Sequence, residues 1–226
     1  MAIEYIVKSG DTLTRIASKF GFKLYTDIYN HPSNAEFRKK RPNPNLIYPG
    51  DRVQIPTKDL DDLVLARPPL VKQAEIMNCW AAAMESWLTV SPREPFSQER
   101  LKEMFSFFTD AVTGGLTPAG WGAIATRFQM TARLFSTSPL AGESPEGFKA
   151  ELLRGILEKS GFIVIVYNHA GNGAVSHVNV VYGIVFEGDT TYLWVMDPFD
   201  SPFGGYQKRP LSFYKDRMPV GILWAP

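Results

Sequence analysis

"QAEIMNCWAAAMESWL", residues 73–88, holds the only cysteine of the chain, and its reading decides the fold of the larger, C-terminal part. Ala, Met, Glu and Leu after Cys79 are strong helix formers. Trp80, Ala83, Met84 and Trp87 recur at helical spacing, which predicts a helix with one buried face. The polar residues Gln73, Glu75 and Asn78 lead into it. Cys79 then stands in the first turn, where unpaired N–H groups carry about half a positive charge. Such a site favours the thiolate, since helix N-termini and imidazolium partners lower cysteine pKa values from about 8.5 into the ~3.5–7.5 range. A lone cysteine on an alanine-rich helix is equally a common core residue. The nucleophile reading therefore depends on a base and a group to orient that base.

Both are present further on. "GAVSHVNVVYGIVFEG" (173–188) begins polar and becomes an apolar strand with His177 at its entrance. "TYLWVMDPF" (191–199) follows the turn "EGDT" and ends at Asp197. The start of one strand and the end of its hairpin partner lie at the same end of an antiparallel ladder. His177 and Asp197 can thus meet, with the carboxylate holding the ring as the third member of a triad does. His169 competes for the role of base but sits in a glycine-containing loop. Asn179, two residues after His177 on the same strand face, competes with Asp197, which could also merely start a turn. Gln73 precedes Cys79 by six positions, and its carboxamide N–H with the Cys79 backbone N–H could bind an oxyanion.

This constellation resembles a papain-like cysteine peptidase across about residues 68–226. The order Gln73, Cys79, His177, Asp197 is that family's, with Asp in place of the Asn of papain itself. "MNCW" is what survives of a "CGSCW"-type signature, which makes the chain similar to compact bacterial branches such as bacteriocin-leader-processing peptidases and avirulence-type effectors. The resemblance implies that Cys79 attacks, His177 moves the proton, Asp197 orients it and Gln73 binds the oxyanion. Protease, amidase, deamidase and transglutaminase all pass through the same acyl-thioester, so the motif leaves them open. A non-catalytic adaptor with a degenerate peptidase fold is the alternative from another class. "NCWA" also differs from the "DCSG"-like motif of cell-wall endopeptidases.

The N-terminal stretch is a separate unit. "IEYIV" (3–7) alternates like a short strand. Asp11 or Thr12 can cap a helix at "TLTRIASKFG", which Gly21 ends. "YTDIYNHPSNAEF" reads as a second helical stretch broken near His31-Pro32, and "RVQIP" (52–56) as a closing strand. "YIVKSGDTLTRIASKFG" and "RPNPNLIYPGDRVQIP" resemble both ends of a LysM module over residues 3–56. The resemblance implies binding of N-acetylglucosamine-containing glycan, chiefly peptidoglycan, between Gly10-Asp11-Thr12-Leu13 and Asn45-Leu46-Ile47. Gly and Asn permit backbone geometries that free amides for acetamido groups, and Leu and Ile supply an apolar floor. The long middle "NHPSNAEFRKKRPNPN" is associated with LysM modules of phage-tail-like and type VI secretion loci. That association suggests an antibacterial toxin with an immunity protein and a secretion-apparatus partner.

Residues 1–57 are expected to form the LysM module, 58–71 a linker or strap ("TKDLDDLVLARPPL", 57–70), and 72–226 the papain-like domain. In the last, Thr117-Pro118 and Ser144-Pro145 predict helix starts, with Gly161 ending the second helix. "GGLTPAGW" (114–121) is read as a helix-start loop in preference to a cleft wall. "FIVIVYN" (162–168), 177–186, 191–197 and "VGILWA" (220–225) predict strands, giving an α+β layout with an antiparallel sheet.

Composition agrees with a soluble globular chain: 226 residues, 45% apolar, 21% charged, formal net charge +1. Near-zero charge argues against a nucleic-acid partner, and "FRKKRPNPN" (37–45) reads as a solvated loop. One cysteine excludes an intramolecular disulfide and a cysteine-built zinc site. Three scattered histidines lack metal-ligand spacing, and no cofactor is expected. No apolar run reaches the roughly 18–20 residues of a membrane span. "MAIEYIVKSGDTL" shows no Sec signal, so the expectation is synthesis in the cytoplasm and export by a signal-independent route.

Overall fold

The structure, a computed structural model, describes residues 2–56, 61–169, 176–188, 190–199 and 204–226. The chain divides into two compact units, residues 1–59 and 60–226. The expected linker residues 58–60 and the turn residue 189 lie outside the described residues.

In the first unit, β1 (Ala2–Ile6) pairs antiparallel with β2 (Arg52–Pro56), Tyr5 opposite Val53. Between them run α1 (Leu13–Lys19), α2 (Thr26–Tyr29), a 3-10 turn at Pro32–Asn34 and α3 (Ala35–Lys40). Thr12, rather than Asp11, caps α1: its hydroxyl accepts from Arg15 N–H at 3.2 Å. Asp11 instead accepts from Tyr5 Oη and Lys8 N–H, both at 2.8 Å. Gly21 ends the helix with φ +78, a left-handed conformation that costs glycine nothing. Leu13, Ile16, Ala17, Ile28, Phe37, Val53 and Ile55 form the core. The basic run departs from the expected loop. It finishes α3, where Arg38 donates to the Tyr29 and His31 carbonyls and Arg41 clamps buried Asp51 through Nε (2.7 Å) and Nη2 (3.1 Å).

The second unit is built on one antiparallel sheet of order β4-β9-β5-β6-β7-β8. Its strands are β4 (Thr131–Phe135), β5 (Ile163–Asn168), β6 (Ser176–Glu187), β7 (Thr190–Asp197), β8 (Gly205–Pro210) and β9 (Val220–Trp224). A two-residue β3 (Leu63–Val64) adds to β6 opposite Ile184 and Gly183. Part of the expected linker is thus a strap on the sheet. Gly183 admits it, since a Cβ there would meet the Leu63 carbonyl at 3.2 Å. β4 and β8 escaped sequence reading, because "TARLF" is mostly exposed and "GYQKRP" is polar and half-buried throughout.

Successive residues of the sheet face opposite layers. Val164, Val178, Val180 and Met196 pack with α4 (Cys79–Val90), α5 (Gln98–Met104) and α6 (Pro118–Arg127). Ile163, Ile165, Tyr167 and Val195 pack with α7 (Ala150–Ser160) and α8 (Leu211–Lys215). Helix α4 is buried on nearly every side rather than one, because α5 and α6 cover what the sheet does not. Even Ala81 and Ala82 have no exposure. Its one half-open acid, Glu85, accepts from Gln98 N–H at 2.8 Å and so joins α4 to the start of α5. Helix α6 starts at Pro118 as expected, with Thr117 at the N-cap position, although its hydroxyl donates to the Phe108 carbonyl (2.8 Å) and makes no side-chain cap. Ser144-Pro145 opens only a 3-10 turn before α7 begins at Ala150.

Candidate active site

Cys79 is the first residue of α4, with Asn78 at the N-cap position. Asn78 makes no side-chain cap and donates to Glu75 Oε2 at 2.9 Å. The thiol is 6% exposed, and Sγ lies 3.9 Å from the carbonyl oxygen of Ser176, the residue before His177. Burial pushes the thiol up to about 12, although the N–H groups of Trp80, Val178 and Cys79 itself pull in the opposite direction. The expected lowering at the helix's positive end is therefore outweighed: desolvation of a nearly enclosed sulfur exceeds what three amide dipoles return.

His177 and Asp197 are brought together as the hairpin reading requires. Nε2 of the ring lies 2.7 Å from Asp197 Oδ1, with both residues buried at 6% and 1% exposure. The register explains it. His177 faces Tyr167 across β5, and Val180 faces Met196 across β7, so the start of β6 meets the end of β7. Tyr167 and Phe199 stand edge-on to the imidazole, with centroids at 5.6 and 5.9 Å. Using Nε2 for the carboxylate leaves Nδ1 as the nitrogen that can act as base. Burial alone would push the Asp197 carboxyl up. The hydrogen bond to His177, the charges of His177 and Arg209, and the Phe199 N–H more than offset it, and hold the group below the usual carboxylate range.

No hydrogen bond joins Sγ to the His177 ring. The sulfur lies beside the backbone that carries the histidine, and the two side chains open into different cavities. Cys79 borders one of about 450 Å³ with Met77, Trp80, Leu116, Trp121 and Val178. His177 and Asp197 border another of about 440 Å³ with His169, Phe199 and Arg217. The Cys79 cavity adjoins one of about 480 Å³ through shared Leu116, Pro118, Trp121 and Ser176. "GGLTPAGW" is thus a cleft wall as well as a helix start.

Gln73 is half-buried, with its N–H donating to the Pro198 carbonyl at 2.9 Å, next to Asp197. One hydrogen of its carboxamide is committed to the Ile76 carbonyl at 2.7 Å, and buried Oε1 has no partner. The second N–H is the one that could meet an oxyanion. His169 is exposed on the turn after β5 and stacks on Phe199. Asn179 makes no hydrogen bond to His177; its Oδ1 accepts from Tyr214 Oη (2.9 Å) and Arg209 Nη1 (3.1 Å). Arg209, on the β8 strand that sequence reading missed, also donates to Asp197 Oδ2.

In the N-terminal unit, Asp11, Thr12, Leu13, Asn45 and Ile47 line a groove of about 80 Å³ together with Thr14, Tyr25 and Pro44. Gly10 (φ +83) makes the turn into it. Leu46 is not among the lining residues and is 54% exposed. Tyr25, at the start of the second helical stretch, was legible only as a helix residue.

A profile of the papain-like cysteine protease AvrRpt2 family matches residues 66–209, more than half of the chain. The chain belongs to that family. It is an enzyme of the papain-like cysteine protease kind, and it also carries a LysM domain, whose profile matches residues 5–26. No curated protein matches the chain. Among solved structures, UfSP from C. elegans is similar at 14% identity over 75% of this chain and 35% of that one, with a TM-score of 0.48. Digestive procathepsin L 3 of Tenebrio molitor larval midgut is similar at 11% identity over 74% and 70%, also with a TM-score of 0.48.

Proposed function

We propose that the chain hydrolyses a peptide or amide bond with Cys79 as nucleophile, His177 as acid–base and Asp197 as the group that orients the ring. The observation that carries this reading is the buried His177–Asp197 pair, set where β6 passes the sulfur at the head of α4. Nδ1 accepts the Sγ proton as the sulfur attacks the carbonyl carbon. Catalytic hydrogen bonds of this kind commonly tighten only once substrate is held. The tetrahedral oxyanion accepts from the Cys79 backbone N–H and the second Gln73 N–H. His177 then returns the proton to the leaving amine, and water, deprotonated by the same ring, releases the acyl group from sulfur.

The apolar cleft of Trp80, Leu116, Trp121 and Val178 suits bulky apolar side chains next to the bond. The LysM groove supports attachment to N-acetylglucosamine-containing glycan of the bacterial wall. With that attachment, the enzyme reads as an antibacterial effector that leaves its producer by a type VI-like route and is restrained there by an immunity protein.

The test is inducible expression in bacteria, in the cytoplasm and in the periplasm separately, comparing wild type with Cys79→Ala, with mass spectrometry of wall fragments and proteins. Cysteine-dependent toxicity with a new chain end supports a peptidase. A mass gain of about one unit on Gln or Asn identifies a deamidase passing through the same thioester, and equal toxicity of both forms removes Cys79 from the function.

A further inference from the structure

Three donors converge on the two oxygens of Asp197. Oδ1 takes His177 Nε2 (2.7 Å) and the Phe199 N–H (2.9 Å), while Oδ2 takes Arg209 Nη2 (2.5 Å). Arg209 is fixed in turn: Nη1 donates to Tyr167 Oη (2.7 Å) and Asn179 Oδ1 (3.1 Å), and its side chain is 15% exposed. Its guanidinium also lies over the Phe213 ring, 4.7 Å from the centroid. A carboxylate satisfies all three donors, because both its oxygens only accept. A carboxamide cannot. Turned to accept from Arg209, its NH₂ opposes the ring N–H and the Phe199 N–H; turned to accept from those, its NH₂ opposes the guanidinium.

We infer that Arg209 is a positioning residue acting through Asp197, and that its presence is what requires an acid rather than an amide at position 197. This rests on the catalytic reading of Cys79 and His177. Arg209 fixes Oδ2, which aims Oδ1 at Nε2, and the carboxylate so held stabilises the imidazolium that forms when Sγ ionises. Tyr167 and Asn179 act one layer further out by holding the guanidinium, and Tyr214 holds Asn179 in turn.

The experiment measures alkylation of Cys79 by iodoacetamide at pH 6.5, in the full chain, for wild type, Asp197→Asn, Arg209→Met, the double variant and His177→Ala. The expected result is a loss of about 10- to 100-fold for Asp197→Asn, the range for one hydrogen bond to a charged group. In the double variant the rate returns to within a few-fold of wild type, since the amide is then free to accept from His177 and Phe199. A merely structural arginine gives losses that multiply, and a double variant no faster than Asp197→Asn overturns the inference. If Arg209→Met does not fold alone, the comparison of the double variant with Asp197→Asn still decides, because the double variant removes both members of the pair and leaves no buried unpaired charge. Unchanged alkylation in His177→Ala sinks the catalytic reading itself, which separates the two failures.

Discussion

Removing the imidazole should silence the Cys79 thiol at neutral pH, and the size of the loss follows from burial. Enclosure moves the thiol from 9.0 to about 12, which at about 1.36 kcal/mol per tenfold change amounts to roughly 4 kcal/mol against the thiolate. An imidazolium brought to about 4 Å of the sulfur contributes about 4 kcal/mol at an effective dielectric constant of 20. The two effects nearly cancel, so a working ion pair restores reactivity near that of an ordinary cysteine or better. His177→Ala removes the offset and keeps the burial. Its alkylation by iodoacetamide should be about 10³-fold slower at pH 7, rising only in strong alkali, whereas the wild type should already react at pH 7 at the rate of an ordinary cysteine or faster. Stopped-flow or mass-resolved labelling across pH 5–10 reads both curves. Superimposable profiles would refute the reasoning, since they would mean that the ring never reaches the sulfur.

Replacing Asp197 with Ala should cost about 3–5 kcal/mol in denaturant titration, because Arg209 stays buried without its counter-ion; its slight exposure puts the value toward the lower end. The same pairing sets a pH dependence. With the Asp197 carboxyl held below its ordinary value in the folded chain, its contribution is complete above about pH 4 and is lost as pH falls through the lowered value. Stability of the second unit should therefore decline toward strong acid in wild type and be flatter there in Asp197→Asn. Gln73→Ala should reduce kcat about 10²- to 10³-fold with little change in KM, the usual result of losing an oxyanion donor; an equal rise in KM would assign Gln73 to ground-state binding. In the LysM unit, Asn45→Ala and Tyr25→Ala should weaken co-sedimentation with sacculi several-fold, while Leu46→Ala should not, and the reverse order would move the glycan site off the groove.

Much of the site was legible because its chemistry is written locally. Helix formers after Cys79 place the sulfur at the head of α4. The long apolar run after His177, a turn, and Asp197 at the end of the next strand make a hairpin whose ends must meet, whatever the rest of the sheet does. The LysM unit was readable for the same reason: a capped helix, a glycine stop and two short strands are all short-range signals. Burial is different. It comes from what packs on an element from far along the chain, as α5 and α6 do on α4, and it reverses the expected direction of the Cys79 shift. Leu46, read as part of a groove floor, is exposed and does not line the groove that its neighbours Asn45 and Ile47 border.

Residue types and spacing alone thus determined two units, an α+β sheet domain, a cysteine heading a helix and a histidine–carboxylate pair, because helices and hairpins are fixed by neighbours in sequence. Only the tertiary structure decided that Arg209, twelve residues past Asp197 and on another strand, shares its carboxylate, and that Asn179 props this arginine instead of the histidine. A guanidinium reaches several ångströms along a sheet, so its partner is chosen by strand order and register, which no single segment encodes.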